Sequence, residues 1–370
     1  MKVGVCGITP SSVHFRTYVE FLIERGHEVT VLTNDYEMLT QVDLGTAQGS
    51  LEVVNFARHT RLIKLLPRGL RLIPRVVKLR RALREHQFDV LDVMQVTPDG
   101  VYAALMWHGP LVLDFWGSDI MRLDIRPWWV QRLMPRAIRK AKVIHSVSNE
   151  MTQRLLSHGA DRDRIETFQY GIDLARFRFE PAPHRPGRIV HTRGLRPFYR
   201  SDVLIRALPL VRAQRPDVTL AMTGGTDEMS DLKAIAAEVG VADEIEFLGF
   251  VTDDEVAAQL RSASVWVSIP PTDGTPLSLL EAMGSGALPV LSDLPTVRDW
   301  IDEDRGVFVS DITPEGVAGA LLLGLNLSES ADYAEPNRRI VEERGDSNIN
   351  LPRWEGLLER AAASREGSRV

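Results

Sequence analysis

A segment in the second half of the chain combines a flexible turn, a predicted helix start and two carboxylates (TDGTPLSLLEAM). Gly274 permits backbone conformations that a side chain would disfavour. Thr275 is a favourable N-cap and Pro276 suits the first helical position, so we predict that a helix begins at Pro276. The free amides at this helix start, including those of Leu277 and Ser278, would bind a phosphate group.

Two carboxylates flank this predicted anion site. Asp273 lies just before the helix start, and Glu281 lies about one turn into the helix. Carboxylates accept hydrogen bonds from hydroxyl groups, so the pair suits a phosphorylated sugar. A capped helix that only packs in the core would explain the same residues. The rest of the chain has to decide between these two interpretations.

The composition excludes several classes of protein. The chain has 370 residues, of which 44% are hydrophobic and 25% charged, as expected for a soluble globular protein of two or three domains. A net charge of −6 argues against general nucleic-acid binding. Cys6 is the only cysteine, so we expect a core residue and no disulfide or thiolate metal cluster. No signal peptide or membrane helix is recognisable, so we expect a cytoplasmic protein.

Apolar runs alternate with helical patterns in both halves, which predicts two open, doubly wound α/β sheets of parallel strands. The predicted strands of the first half are Lys2 to Ile8, Val29 to Leu32, Val90 to Met94, Leu111 to Phe115 and Val143 to Val147. Those of the second half are Ile189 to Thr192, Thr219 to Met222, Ile245 to Leu248, Val265 to Ser268, Pro289 to Leu291 and Val307 to Val309. Such sheets bind ligands at the carboxyl ends of their strands, so we predict a site in the cleft between them.

A proline-rich stretch separates the two halves (PAPHRPG). We therefore predict a first domain at residues 1–175, a linker at 176–188 and a second domain at 189–348. The last segment, residues 349–370, is predicted to form a helix that crosses back to the first domain.

Several short motifs occur in order along the chain. The first half contains EFLIERGHEV at 20–29, WGSD at 116–119 and GID at 171–173, and the second half contains EFLGFV at 246–251 and DGTPLSLLEAM at 273–283. From about residue 1 to residue 300, these motifs resemble retaining glycosyltransferases of family four, a GT-B group that uses nucleotide-sugar donors. The resemblance implies two Rossmann-like domains that face each other across a cleft.

The same resemblance implies a role for each part of the site. The helix start would bind the donor diphosphate, Asp273 the hydroxyls of the transferred sugar and Glu281 the ribose. The catalytic candidates are Arg193, Asp273, Glu281 and Asp119. The donor-binding candidates are Arg196, Tyr199, Arg200, Gly224, Gly225, Gly249, Phe250, Val251, Gly274, Thr275, Pro276, Leu277 and Ser278. The acceptor-side candidates are Ser11, Ser12, His14 and Trp116.

Several positions depart from the family pattern. The family usually has an arginine and a lysine six positions apart beside the diphosphate, whereas here Tyr199 follows Arg193 at that spacing. Arg196 or Arg200 could supply the missing charge. Asp273 replaces a glutamate of the family signature. On the acceptor side, a tryptophan replaces the usual histidine and a Pro-Ser-Ser segment replaces a glycine pair.

Breaking a sugar–diphosphate bond makes the leaving group more negative while the anomeric carbon becomes cation-like. Catalysis therefore needs fixed positive charge beside the phosphates, which Arg193 and the helix start would provide. By resemblance, the acceptor would attack the face that the diphosphate leaves, and a phosphate oxygen would take the proton. No His, Asp, Glu or Cys spacing indicates a metal site, and we expect no cofactor.

Some candidates also have a purely structural interpretation. Asp119 could position a hydroxyl group or only cap the next helix. Gly224 and Gly225 could admit the nucleotide or only end a strand. His14 could face the cleft or be a solvated or capping residue. The sequence leaves these alternatives open.

Residues 58–84 carry ten Lys or Arg side chains and no acid, interleaved with leucine, isoleucine and valine. Such a segment could lie on an anionic membrane surface, or form a helix packed on the sheet with its polar face in water. The run lacks aromatic residues, which argues against nucleic acid as the partner. The membrane interpretation predicts a cytoplasmic protein that associates peripherally with the inner face of a membrane.

The sequence predicts a hexosyltransferase that acts with retention of configuration on an acceptor hydroxyl, lipid-linked or on a glycan, as in glycoconjugate biosynthesis. The resemblance favours a UDP-sugar as the donor and GDP-mannose next. One alternative is a sugar-nucleotide epimerase or hydrolase of the same fold. Another is a catalytically silent nucleotide-sugar binder or membrane scaffold, which Tyr199 and Trp116 at unusual positions would suit.

Overall fold

The computed structural model describes residues 1–8, 16–34, 49–56, 72–96, 98–180, 186–225, 229–330 and 332–364. The chain divides into two compact units. Unit 1 comprises Met1–Phe168 and Ile349–Val370, and unit 2 comprises Gln169–Asn348. The last segment of the sequence is therefore grouped with unit 1.

Unit 1 is built on a parallel sheet of seven strands in the order β3-β2-β1-β4-β5-β6-β7. The strands are β1 (Lys2–Cys6), β2 (Glu28–Thr33), β3 (Ser50–Asn55), β4 (Val90–Met94), β5 (Leu111–Phe115), β6 (Val143–Ser146) and β7 (Ile165–Thr167). The helices are α1 (Phe21–Glu24), α2 (Leu72–Glu85), α3 (Pro98–Met106), α4 (Ser118–Met121), α5 (Trp128–Lys140) and α6 (Asn149–Ser157). A π-helical turn, Arg16–Glu20, precedes α1, and 3₁₀ turns lie at Leu123–Ile125 and Arg162–Arg164.

Unit 2 repeats the architecture with a six-stranded parallel sheet in the order β10-β9-β8-β11-β12-β13. The strands are β8 (Arg188–His191), β9 (Thr219–Thr223), β10 (Ile245–Gly249), β11 (Val265–Ser268), β12 (Leu288–Ser292) and β13 (Val307–Val309). The helices are α7 (Ser201–Arg212), α8 (Met229–Glu238), α9 (Asp253–Ser262), α10 (Leu277–Ser285), α11 (Pro295–Arg298), α12 (Pro314–Ser330) and α13 (Ala334–Arg344). 3₁₀ turns lie at Pro197–Tyr199 and Ala242–Glu244.

The central strands form because their apolar runs are covered on both faces. All five residues of β4, β5 and β12 are buried, as expected for parallel strands between two layers of helices. Cys6, at the end of β1, is buried as predicted, and burial raises the pKa of its thiol to about 12. The prediction of two doubly wound α/β sheets is confirmed.

Helix α14 (Ser347–Ala363) carries buried residues into unit 1. The Trp354 indole donates a hydrogen bond to Asp114 Oδ2 at 3.0 Å. The Glu355 carboxylate lies 3.1 Å from Arg25 Nε and 2.7 Å from His27 Nε2. These contacts hold α14 against β5 and against the turn before β2 in unit 1. Among the described residues, no helix has the length and apolar character required to cross a membrane.

Candidate functional site

The candidate site of unit 2 lies where the sheet order changes direction. Strands β8 and β11 are neighbours in the sheet although they are distant in sequence. Ligands of doubly wound sheets bind at the carboxyl ends of such strands. Arg193 follows β8, and the loop that contains Asp273 follows β11. Their side chains meet in an ion pair, with 2.8 Å between Arg193 Nη2 and Asp273 Oδ2.

Arg193 is held from three directions. Besides the ion pair, its Nη1 donates a hydrogen bond to Ser278 Oγ at 2.9 Å. Its guanidinium carbon lies 4.7 Å from the centre of the Tyr199 ring, which gives a cation–π contact. Only 14% of the Arg193 side chain is exposed, so its charge acts in a partly desolvated environment. The sequence therefore correctly identified a cation beside the predicted helix start.

Hydrogen bonds to side chains fix the loop before α10. Thr296 Oγ1 donates to the Asp273 carbonyl at 3.1 Å, and Thr275 Oγ1 donates to the Thr296 carbonyl at 3.2 Å. Gln169 Nε2 donates to the Thr275 carbonyl at 2.6 Å. Thr296 and Gln169 were not predicted as site residues, because no local sequence motif connects them to this loop.

The helix start differs by one residue from the prediction. Helix α10 begins at Leu277, and Pro276 is its N-cap, with φ −71° and ψ 131°. Thr275 does not cap the helix, because its hydroxyl is bonded to Thr296. The first turn is closed by the Leu279 amide, which donates to the Pro276 carbonyl at 3.0 Å. The amides of Leu277 and Ser278 precede this bond and remain positioned for an anion.

The two carboxylates of the segment are affected by burial. Burial raises the pKa of Asp273, although Arg193 and the Gly274 amide oppose this shift. Burial also raises the pKa of Glu281 to about 7, with a further contribution from Asp253 and opposition from Arg193. No described residue forms an ion pair with Glu281. Its carboxyl group therefore changes charge near neutral pH.

Glycines bring the neighbouring loops close together. The Gly224 amide donates to the Gly249 carbonyl at 2.7 Å, which joins the ends of β9 and β10. A Cβ atom on Gly224 would lie 3.3 Å from Gly194 Cα, and Gly224 has φ +103°. A Cβ atom on Gly225 would lie 2.7 Å from the Phe250 ring, so a side chain there would have to displace it. The Phe250 side chain is 87% exposed beside this opening.

The remaining donor-side candidates lie around the same edge. Arg196 and Arg200 are exposed, and neither forms an ion pair with a residue that the structure describes. Arg200 adopts a left-handed conformation, with φ +56°, just before α7. Val251 is partly buried in the turn after β10. These positions place two cations, without acidic partners in the part of the chain that the structure describes, on the loop that follows Arg193.

Asp119, in unit 1, has a structural role. Its Oδ1 accepts hydrogen bonds from the amides of Gly117 and Ile120, at 2.9 and 3.0 Å. Its Oδ2 accepts from the amides of Val96 and Trp116, both at 3.1 Å. The side chain is 2% exposed. The structural interpretation of Asp119 is therefore supported, because four backbone amides use its oxygen atoms to organise the turn after β5. A catalytic role for this side chain stays a prediction.

Only one acceptor-side candidate can be placed. The Trp116 ring packs edge-to-face against Tyr18, with 5.6 Å between their centres. Ser11, Ser12 and His14 lie outside the described residues. Within the described part of the chain, no group of three or more His, Cys, Asp or Glu side chains is arranged to hold a metal ion.

Comparisons with known proteins cover most of the chain. Residues 11–176 match the family model described as Glycosyltransferase Family 4, and residues 187–326 match the model described as Glycosyl transferases group 1. The chain is 28% identical to phosphatidyl-myo-inositol mannosyltransferase of Mycolicibacterium smegmatis, over 87% of this chain and 84% of that protein. It is 26% identical to GDP-mannose:cellobiosyl-diphosphopolyprenol alpha-mannosyltransferase of Komagataeibacter xylinus, over 70% of this chain and 68% of that protein.

Solved structures support the same architecture. Anabaena Alr3699/HepE, in complex with UDP and glucose, superposes with a TM-score of 0.75 and 18% identity, over 96% of this chain and 99% of that one. Sucrose-phosphate synthase of Thermosynechococcus elongatus superposes with a TM-score of 0.79 and 14% identity, over 98% of this chain and 100% of that one. At these identities, the likeness establishes the fold alone.

Proposed function

The chain belongs to the family-four glycosyltransferases with the GT-B fold, and we propose that it transfers a hexose, with retention of configuration, from a nucleoside diphosphate sugar to an acceptor hydroxyl. One observation carries the proposal. The buried end of Arg193 lies within hydrogen-bonding distance of both Asp273 and Ser278, at the start of α10. A cation and free helix amides at one point are suited to a diphosphate.

Arg193 and the Leu277 and Ser278 amides stabilise the leaving diphosphate as its negative charge grows. These donors are already oriented, so little reorganisation is needed when the bond breaks. The partly buried setting of Arg193 strengthens this effect. Asp273 binds hydroxyls of the transferred sugar, and its ion pair with Arg193 supports a binding role rather than attack on the anomeric carbon. Glu281 binds the ribose hydroxyls.

The acceptor attacks the anomeric carbon from the side on which the diphosphate leaves. The bond to the acceptor oxygen forms as the bond to the diphosphate oxygen breaks, and a phosphate oxygen takes the acceptor's proton. Configuration is thereby retained without a covalent sugar–protein intermediate. Arg193 keeps the departing diphosphate beside the reacting carbon long enough to act as the base.

The donor is a GDP- or UDP-sugar. The sequence relatives favour GDP-mannose, because one is named for that donor and another is a mannosyltransferase. A UDP-sugar, which the sequence analysis favoured, stays the second candidate, since the UDP in a fold neighbour belongs to a protein of only 18% identity. Thermal-shift measurements with GDP, UDP, ADP and TDP separate these donors, since a ligand that binds only the folded state raises the melting temperature. A larger shift with UDP than with GDP would contradict the GDP-mannose assignment.

The test of the activity is release of nucleoside diphosphate from GDP-mannose and UDP-sugars, with and without acceptor lipid extracts. We expect Arg193→Ala to lower kcat/KM by about 10²–10³-fold, as for loss of a preorganised donor to a developing anion. The matched control is Arg206→Ala, which removes an exposed arginine paired with Glu238 in the same unit. Nucleotide binding without sugar transfer would instead support a silent nucleotide-sugar binder.

We further propose that the exposed face of α2 contacts an anionic membrane that carries the acceptor. Ile73 and Val77 are 56% and 59% exposed and lie one helical turn apart. Lys78, Arg80 and Arg84 are exposed beside them. Apolar and cationic side chains on one helical face suit the interface of an anionic bilayer.

The structure changes which cations of the predicted segment should be tested. Arg75 is bound to Asp99 of α3, so it is less available to lipid. Residues 57–71 lie outside the described part of the chain. Arg80→Glu with Arg84→Glu should lower binding to phosphatidylglycerol vesicles in flotation assays. The control is Arg206→Glu in unit 2, and equal binding by the α2 variant and the wild type would exclude this surface.

A further inference from the structure

A second cationic and apolar surface lies on α5 and the turn before it. Residues 122–142 carry seven Lys or Arg side chains and one Asp. This segment lies outside the run of residues 58–84 that the sequence analysis assigned to a membrane.

Two large apolar side chains project from the turn that leads into α5. Ile125 is 60% exposed and Trp128 is 75% exposed. The backbone of the turn is fixed, because Gln131 Nε2 donates to the carbonyls of Asp124 and Arg126, each at 2.7 Å. The exposed side chains are therefore presented by an ordered turn.

The neighbouring tryptophan makes the packing contact instead. The Trp129 ring stacks on Tyr102 of α3, with 4.8 Å between the ring centres and 15° between their planes. Val130 and Met134 lie on the buried face of α5. Core packing therefore leaves Trp128 outside, where water is a poor environment for its large apolar surface.

The cations of α5 continue from Trp128 at helical spacing. Arg132 and Arg136 lie four and eight residues after Trp128, so they share its side of the helix. Both are exposed, and neither forms an ion pair with any residue in the described ranges. An exposed tryptophan followed by arginines that lack acidic partners is complementary to a surface that is both apolar and anionic.

Helices α2 and α5 belong to the same layer of unit 1. Helix α3 packs against both of them. Each helix follows a parallel strand and returns along the sheet, so the first turns of α2 and α5 lie towards the carboxyl edge of that sheet. Ile73 in the first turn of α2 and Trp128 in the first turn of α5 therefore lie towards the same end of unit 1.

We propose that Ile125 and Trp128, with Arg132 and Arg136, form a membrane-anchoring surface for an anionic bilayer. Trp128 and Ile125 enter the boundary between headgroups and acyl chains, where an indole ring is favourable. The two arginines bind lipid phosphates. The inference rests on the proposed function, because it gives the enzyme a second contact with the membrane that carries its acceptor.

Flotation of the full chain with vesicles tests this surface. We expect Ile125→Ser with Trp128→Ser to lower the partition coefficient onto phosphatidylcholine–phosphatidylglycerol vesicles by at least about tenfold. Arg132→Glu with Arg136→Glu should lower binding and weaken its dependence on salt. Leu323→Ser, which removes a 59% exposed leucine from unit 2, is the matched control. Wild-type binding by the Ile125/Trp128 variant would overturn the proposal.

Fluorescence locates the tryptophan directly. Lipids with brominated acyl chains should quench the wild-type emission, and Trp128→Phe should remove that quenching. Quenching that persists in Trp128→Phe would overturn the proposal. It would also be overturned if the Ile125/Trp128 and Arg132/Arg136 variants bound vesicles like the wild type and lost only self-association, as measured by sedimentation. Nucleotide thermal shifts on the same samples report on unit 2, so a failure of the glycosyltransferase proposal is seen separately from a failure of membrane binding.

Discussion

At the scale of single residues, Glu281 combines a shifted pKa with a predicted contact to the ribose. Burial raises its pKa from 4.5 to about 7. A carboxyl group whose pKa is higher in the folded protein stabilises it fully below pH 4.5, and this contribution is lost as the pH rises through about 7. The free energy of unfolding of the unliganded protein should therefore decrease over this range.

We predict that Glu281→Gln flattens this pH dependence, because the amide cannot ionise. It should also weaken nucleotide binding at pH 8, where the wild-type carboxylate is ionised and accepts ribose hydrogen bonds. Melting curves from pH 5 to 8, with and without nucleotide, measure both effects. Glu359→Gln, at an exposed position of α14, is the control. An unchanged pH profile in Glu281→Gln would show that another group is responsible.

Tyr199 would determine how much positive charge a diphosphate meets at the proposed site. Its ring lies against Arg193, where the family pattern has a lysine. We predict that Tyr199→Lys lowers the melting temperature of the free protein, because two cations then lie together, and increases the stabilisation by nucleoside diphosphate. Tyr199→Phe keeps the ring and should resemble the wild type in both measurements. A smaller nucleotide shift in Tyr199→Lys would mean that the aromatic ring itself serves the donor.

At the scale of elements, Thr296 connects α11 to the loop before α10. Thr296→Val removes the hydrogen bond to the Asp273 carbonyl, which should cost about 1–3 kcal/mol of unfolding free energy if that carbonyl is left unpaired. Loss of this hydrogen bond should also let the loop before α10 move, which should raise the KM for the donor. Urea unfolding and donor titrations measure these effects. The control is Thr219→Val, which changes a threonine at the start of β9. It should alter neither the free energy of unfolding nor the KM for the donor.

The same elements indicate what the sequence could predict. Central strands such as β4 and β11 were predicted at their observed bounds, because a buried parallel strand is a continuous apolar run. The edge strands β3 and β7 were missed, because both carry polar residues and β7 has only three residues. The helix start was displaced by one residue, because the Thr275 hydroxyl bonds to a carbonyl that lies 21 residues away. Such contacts leave no local pattern.

The same limit applies to single side chains. Arg193 was predicted because a cation after a strand is visible in the sequence, and its partner Asp273 belongs to a recognisable motif. The structural role of Asp119 could not be predicted, because its four amide donors come from a folded turn and from Val96 on another loop. The Ile125–Trp128 surface was missed, because exposure depends on which of two adjacent tryptophans packs against α3.

At the scale of the whole molecule, unit 1 is completed by residues from the end of the sequence. Trp354 is fully buried, and its indole is bonded to Asp114 on β5. Next to Asp114, burial and the neighbouring carboxyl group hold the pKa of Asp92 well above its usual range. Helix α14 therefore supplies a hydrogen-bond donor to the Asp92–Asp114 pair, although in the sequence it follows the other described elements of unit 1 and those of unit 2.

Trp354→Phe should consequently destabilise unit 1 by about 1–3 kcal/mol, because it keeps an aromatic ring but leaves Asp114 without the indole donor in a buried site. Hydrogen exchange should become faster in β4 to β6, while exchange in β8 to β12 and the nucleotide-induced thermal shift stay unchanged. Trp128→Phe, at an exposed position, should alter neither unit in the absence of lipid. Equal acceleration in both units would mean that α14 stabilises the chain as one cooperative body, and the division into separately stabilised units would then be wrong.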